Sequence, residues 1–316
     1  MISVALCTYN GEKFIREQIE SILHQTMPVD EIVVCDDGST DGTLDIIESY
    51  SSSGHSQIRI YRNEKNLGPA RNFQQALNLC QGDIIFLSDQ DDIWEATKVA
   101  QIVQYFACHP NYQVVFTDGQ LIDDGGKPIS QGTLWKCFGL SDVGIRAIES
   151  GMGIELFANE NRATGATMAV RSEFSYIHHL IDYCKGDILH DGALAMLALA
   201  NKQLGNIPEC LIQYRIHPHQ ECGIGECLVH PFSDDPRTSS YTAIYWNQST
   251  LPPPLDKRIA FIANRRRRQH QPLGLFRMIK ETSTYRELYG SQWLRFLWFD
   301  CREWCSSMLL RITRRH

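Results

Sequence analysis

Short apolar runs alternate with stretches of helical periodicity through residue 116, and no other feature restricts the fold as much. Ile2-Ser3-Val4-Ala5-Leu6-Cys7, Glu31-Ile32-Val33-Val34-Cys35, Ile58-Arg59-Ile60-Tyr61 and Asp83-Ile84-Ile85-Phe86-Leu87 are short, apolar and partly β-branched, as buried strands are. Between them, Phe14, Ile15, Ile19, Ile22 and Leu23, then Leu44 and Ile47, then Phe73, Ala76, Leu77 and Cys80 recur at helical spacing. A helix through Val99, Ile102, Val103 and Phe106 and a strand Val114-Val115-Phe116 follow. This alternation predicts an α/β fold with a doubly wound, mainly parallel sheet. Asn10 is the expected cap of the first helix, and Ser39 or Thr40 of the second.

At 316 residues and 43% apolar content, the chain can bury one large core and carry an appendage. The first strand starts at Ile2, so no signal or transit segment is expected. No stretch reaches the roughly 20 apolar residues that span a bilayer. Eleven cysteines are scattered rather than dense, which points to reduced thiols and a cytoplasmic location. The net charge of −7 is unevenly spread: residues 257–316 hold 14 Lys/Arg against 4 Asp/Glu, a net of +10, leaving −17 for residues 1–256.

A doubly wound sheet brings the carboxyl ends of its strands to one rim, where ligands collect. Those ends carry Thr8-Tyr9-Asn10, Asp36-Asp37 and Asp89-Gln90-Asp91-Asp92. Asp89 and Asp91 are hard oxygen ligands spaced i, i+2, and with room for water and phosphate oxygens they suit Mg²⁺ or Mn²⁺. Such acidic pairs also occur in plain solvated turns. The first turn has Gly11 as its only glycine and lacks the G-x-G-x-x-G of a dinucleotide site, which argues against nicotinamide or flavin chemistry.

In order along residues 2–98, Val4-Ala5-Leu6-Cys7-Thr8-Tyr9-Asn10-Gly11, the Gln18 to Gln25 helix, Ile32-Val33-Val34-Cys35-Asp36-Asp37-Gly38-Ser39-Thr40-Asp41-Gly42-Thr43, Asn66-Leu67-Gly68 and Ser88-Asp89-Gln90-Asp91-Asp92-Ile93-Trp94 resemble the signatures of the family 2 inverting glycosyltransferases. Further pieces extend the likeness to about residue 217. The resemblance implies the nucleotide-diphospho-sugar transferase (GT-A) fold. It makes Thr8, Tyr9 and Asn10 the lining of a nucleoside pocket and Asp37 a contact to the base. Arg71 and Asp89 are expected on the donor, with Arg71 at a helix start facing phosphate. Asp89 and Asp91 form the metal motif, Asp91 the more direct ligand, and Asp92 orients the loop or reaches a donor hydroxyl.

Inversion needs a carboxylate to take the acceptor proton. His190-Asp191 resembles the form in rhamnosyltransferase-like members, making Asp191 the general base, with Asp187 the runner-up and helix capping the plain alternative. Ala163 to Arg171 resembles the acceptor-proximal strand. Ile207 to His217 resembles the strand ending in Tyr-Arg-x-His, from which Arg215 or His217 could meet diphosphate or metal. The implied activity is transfer of a sugar from a dTDP- or UDP-sugar to a glycan or lipid-linked glycan of a surface polysaccharide. Rhamnose is one candidate, a UDP-hexose another, and a glycan-binding relative without activity a third.

These readings divide the chain into a catalytic domain at 1–230, with a nucleotide-sugar half (1–98) and an acceptor half (99–230), a linker at 231–256 containing Pro252-Pro253-Pro254, and a basic amphipathic helical tail at 257–316. Arginines mixed with tryptophan and leucine in that tail suit an anionic membrane surface, which would make the protein peripheral on the inner face of the cell membrane. Packing on the catalytic domain, or a dimer contact, is the alternative. Arg265 to Arg268 comes with no nucleic-acid reading module, so no nucleic acid is expected. His217, His219, Cys222, Cys227 and His230 lack the Cys-x₂-Cys spacing of a zinc site.

Overall fold

The computed structural model describes residues 1–55, 57–149, 153–157, 161–184, 188–218 and 220, all within the first of two compact units, Met1–Ser249. Asp187, His219, Cys222, Cys227 and His230, the linker and the tail lie outside the described residues.

The elements run β1 (Ile2–Thr8), α1 (Ile15–Leu23), β2 (Glu31–Asp36), α2 (Thr43–Ser52), β3 (Ile58–Arg62), α3 (Pro69–Leu79), β4 (Ile84–Ser88), β5 (Ile93–Trp94), α4 (Lys98–Cys108), β6 (Val114–Ile122), β7 (Pro128–Thr133), α5 (Leu134–Cys137), α6 (Asp142–Glu149), α7 (Gly153–Phe157), β8 (Met168–Arg171), α8 (His190–Ala200) and β9 (Leu204–Arg215). Two 3₁₀ turns, Gly165–Thr167 and Ile177–Tyr183, flank β8. One sheet has the order β3-β2-β1-β4-β8-β6-β9-β5, with β7 beside β6.

The first half of the sheet is parallel: β1 pairs with β2 and β4, and β2 with β3. The chain steps outward from β1 to β3, then returns to the other side of β1, so a topological switch point lies between β1 and β4. Right-handed crossovers put α1 and α2 on one face and α3 on the other. Val4, Ala5 and Leu6, Ile32, Val33 and Val34, and Phe86 and Leu87 are all buried without measurable exposure. Both faces of these strands are covered, which is why they read as continuous apolar runs rather than alternating ones.

The second half is mixed. β8 inserts antiparallel between β4 and β6, and β6 pairs in parallel with β9. With β8 reversed, its leading turn Gly165–Thr167 falls at the same rim as the ends of β1, β2, β4, β6 and β9.

Two expected caps are replaced. Phe14 precedes α1 and Gly42 precedes α2, neither with a capping side chain. Asn10 and Ser39 instead stitch two rim loops together: Asn10 N donates to Ser39 Oγ and Thr40 N to Asn10 Oδ1, each at 2.9 Å. At α2, Asp41 Oδ1 accepts from Thr43 N at 3.1 Å. Tertiary partners outbid local capping here because neighbouring strand ends bring the two loops within hydrogen-bond reach. Among the described residues Cys7, Cys35, Cys80, Cys108, Cys137 and Cys210 are free thiols. Among the described residues no helix is long and apolar enough to cross a membrane.

Candidate active site

The rim at the switch point holds Thr8, Tyr9, Asn10, Asp37 and the Asp89–Asp92 loop, at the ends of β1, β2 and β4. Thr8 ends β1 in register with Asp36 of β2, and Asp37 N donates to Thr8 O at 2.8 Å. Thr8 itself is buried, its hydroxyl donating to Asp36 Oδ2 at 3.0 Å. Asp36 also accepts from Gly38 N and Ser39 N, so it serves the turn. Tyr9 is 46% exposed on the rim, and Gln90 grips its backbone at both ends, accepting from Tyr9 N at 2.8 Å and donating to Tyr9 O at 3.0 Å. Gly11 lets that happen, since a Cβ there would lie 2.2 Å from Gln90 Oε1.

Asp37 is buried and organises the loop before α3. Its Oδ1 accepts from Asn63 Nδ2 and Leu67 N, both at 2.8 Å, and its Oδ2 from Gly68 N at 2.9 Å. A carboxylate offers about four acceptor positions, and these contacts fill three of them. Gly68 adopts φ +80, a conformation glycine reaches without strain, and it delivers the chain into α3. Arg71 stands exposed in the first turn of that helix.

The acidic loop after β4 is tied to the end of β9 by one arginine. Arg215, 1% exposed, donates from its backbone N to Asp92 Oδ1 at 2.9 Å and from Nε to Asp91 O at 2.8 Å. Its Nη2 pairs with Glu17 and its guanidinium lies 4.7 Å from the Phe14 ring centroid. Two residues on, His217 Nε2 stands 2.9 Å from Asp91 Oδ2, with the imidazole tilted on Phe14 at 4.7 Å. Arg215 therefore holds the loop, and His217 is the group that meets Asp91.

Asp191 lies in the first turn of α8, one residue past its start and not at the cap, which is Leu189. Its Oδ1 accepts from Gly192 N at 2.6 Å and its Oδ2 from Gly165 N at 3.3 Å. Its charge reaches across the rim: burial, then Asp91, then Asp191 push the Asp89 carboxyl up to about 7. Asp89, Asp91 and Asp191 thus share one electrostatic environment, while Asp37 sits further along the same rim. His190 is buried and stacked on Phe73 at 3.9 Å, and burial lowers its pKa.

The sequence reading missed Lys98. It is wholly buried, its Nζ donating to Ala166 O at 2.7 Å and lying 4.0 Å from the Trp94 ring centroid. Burial pushes its pKa down to about 7, against the pull of Asp92 and Asp89. A signal was present, because Lys98 shares the apolar stripe of α4 with Ile102 and Phe106.

A metal at this rim would draw on few protein atoms. Among the described residues no group of three or more His, Cys, Asp or Glu side chains is arranged to hold an ion. Mg²⁺ characteristically takes one or two protein ligands and fills the rest of its octahedron with water and substrate phosphate. Asp91 Oδ2 and His217 Nε2 stand at hydrogen-bond distance from one another, 2.9 Å, and a carboxylate and an imidazole are both groups that can ligate a divalent ion.

Comparison with known proteins agrees with the architecture. Chondroitin synthase of Escherichia coli is 34% identical over 139 residues, 44% of this chain and 20% of that protein. A Bacillus subtilis relative is matched over 45% of its length, so the chain spans less than half of these relatives. The structure of S. aureus TarS 1-349 with UDP-GlcNAc superposes with TM-score 0.54 at 17% identity, over 91% of this chain and 81% of that one. The mannosyltransferase PcManGT of Pyrobaculum calidifontis, in complex with GDP-Man and Mn²⁺, gives TM-score 0.52 at 13% identity, over 100% and 88%. These likenesses establish the GT-A fold. Residues 3–172 match Glycosyl transferase family 2, and the chain belongs to that family.

Proposed function

We propose that the chain is a metal-dependent inverting glycosyltransferase that moves a sugar from a nucleoside diphosphate to a hydroxyl of a glycan acceptor, in surface polysaccharide synthesis. The observation that carries this reading is that β8 runs antiparallel beside β4, so that its leading turn, whose Gly165 N donates to Asp191 Oδ2, falls at the rim where β4 ends in the Asp89–Asp92 loop. Asp191 is accordingly among the groups that raise the Asp89 carboxyl, after burial and Asp91. Asp191 takes the proton of the attacking hydroxyl, with Gly165 N and Gly192 N fixing its carboxylate. Tyr9, Asn10 and Asp37 receive the nucleoside, Asp37 through its remaining acceptor position, and Arg71 faces the phosphates. Asp91 and His217 hold Mg²⁺ or Mn²⁺, with Asp89 beside them. A divalent ion held there would supply charge neutralisation for the departing diphosphate. The nucleotide sugars and Mn²⁺ named with TarS and PcManGT support a sugar-nucleotide donor and a divalent ion.

His190-Asp191 favours rhamnose from a dTDP donor, with a UDP-hexose the nearest alternative, since a few pocket contacts decide sugar choice. Nucleotide release from a panel of dTDP-, UDP- and GDP-sugars, with and without glycan acceptors, tests the assignment. One donor should turn over with Mg²⁺ or Mn²⁺, stop with EDTA and recover on metal addition. Turnover of none would favour a glycan-binding protein that keeps the fold without the chemistry.

The basic tail at 257–316 is assigned to an anionic membrane surface, because its arginines alternate with tryptophan and leucine. Co-sedimentation with anionic vesicles should recover the full chain and not residues 1–256. Equal recovery would remove the membrane role.

A further inference from the structure

Lys98 opens α4 with no exposure to solvent, and a buried lysine needs partners. On one side lies the end of the acidic loop: the ring centroid of Trp94, two residues past Asp92, is 4.0 Å from Lys98 Nζ, and Asp92 and Asp89 both act to keep the Lys98 proton on. Asp92 is 1% exposed. Its Oδ1 takes Arg215 N, while Oδ2 has no hydrogen-bond partner among the described residues.

On the other side stands the 3₁₀ turn Gly165–Thr167, all three residues buried. Lys98 Nζ donates to the Ala166 carbonyl in the middle of that turn. The neighbouring Gly165 N donates to Asp191 Oδ2. The turn is tightly seated, since a Cβ on Gly165 would lie 2.7 Å from His190 Nε2. One side chain therefore reaches from the acidic loop to the backbone that holds Asp191.

We propose that Lys98 is a positioning residue for transfer: by holding the Ala166 carbonyl it fixes the turn that aims Asp191, and it couples that turn to the Asp89–Asp92 loop. The inference rests on Asp191 being the base. A lysine nitrogen donates to a carbonyl whether or not it is charged, so the role does not depend on its protonation. The competing role is charge compensation alone, in which Lys98 balances Asp92 and the contact to Ala166 is incidental.

Lys98→Met removes the hydrogen bond but strands a buried carboxylate, and that variant can fail to fold. The Asp92→Asn/Lys98→Met double variant removes both charges together, with Asp92→Asn alone as its reference. Relative to that reference, amide exchange in the peptide spanning Gly165–Thr167 should rise about tenfold while β1 and β2 stay protected. The kcat should fall about 100-fold, the scale of a small misplacement of a reacting group, with the donor KM within about threefold. Adding Asp191→Asn should cost the double variant far less than it costs the wild type, because groups acting as one unit are not additive. Unchanged exchange and kcat would overturn the proposal in favour of charge compensation. A raised donor KM at unchanged kcat would overturn it in favour of donor binding. If the wild type turned over no donor, the transferase reading itself would fail, and the exchange measurement would still decide whether Lys98 holds the turn.

Discussion

Exchanging Asp191 for asparagine is expected to lower kcat about 1000-fold, with the donor KM changed by no more than a few-fold. The substitution keeps the side chain's shape and removes its basicity. An amide oxygen can still accept from Gly192 N, the shorter of the two contacts at 2.6 Å, so the start of α8 should hold. The 3.3 Å contact from Gly165 N is the one an amide nitrogen would disturb. Because the buried residues of α8, Ala193 to Leu199, anchor the helix independently of residue 191, the melting temperature should move by only a few degrees. Steady-state kinetics at saturating donor, with a thermal melt beside them, decide the matter. A variant with near-normal kcat would remove Asp191 from the chemistry. Loss on Asp187→Asn instead would transfer the base to Asp187.

Asp91→Ala is expected to abolish metal-dependent turnover, at least about 1000-fold, while the protein stays folded. The loop is held mainly by groups this change leaves in place: Arg215 Nε on the Asp91 carbonyl and Arg215 N on Asp92 Oδ1. The lost carboxylate is only 15% exposed and faces His217 Nε2 at 2.9 Å, so the melting temperature should fall by a few degrees without loss of the fold. Mn²⁺ and nucleoside diphosphate together should raise the melting temperature of the wild type through linkage, and this gain should vanish in the variant. His217→Ala should weaken the same response, because its Nε2 supplies the other side of the pair. An Asp91→Ala protein that kept its activity and its response to Mn²⁺ would overturn the metal assignment.

The acidic loop illustrates what local sequence could and could not convey. Asp89, Asp91 and Asp92 declare themselves because they follow an apolar strand directly, and strand ends in this class of sheet face one rim. That Asp91 faces His217 is not written locally, since 126 positions separate them. The same holds for Arg215, whose burial against Phe14 and Glu17 exists only because β9 finishes beside the loop. Lys98 is an intermediate case: its place on the apolar stripe of α4 was visible, yet an exposed lysine is the ordinary expectation. The helix caps went the other way. Asn10, Ser39 and Thr40 have capping chemistry, and the folded rim uses those groups to join two loops.

The sequence by itself determined the succession of strands and helices in the first half and the residues at the strand ends. Those follow from periodic burial, which each short segment carries within itself. It also carried the family, through motifs spread over residues 2–98. Only the tertiary structure decided that β8 enters antiparallel between β4 and β6, and with it that the turn holding Asp191 comes to the rim of Asp89. Strand partners are chosen by packing and register between distant segments, and a buried charge is placed by whichever elements close around it.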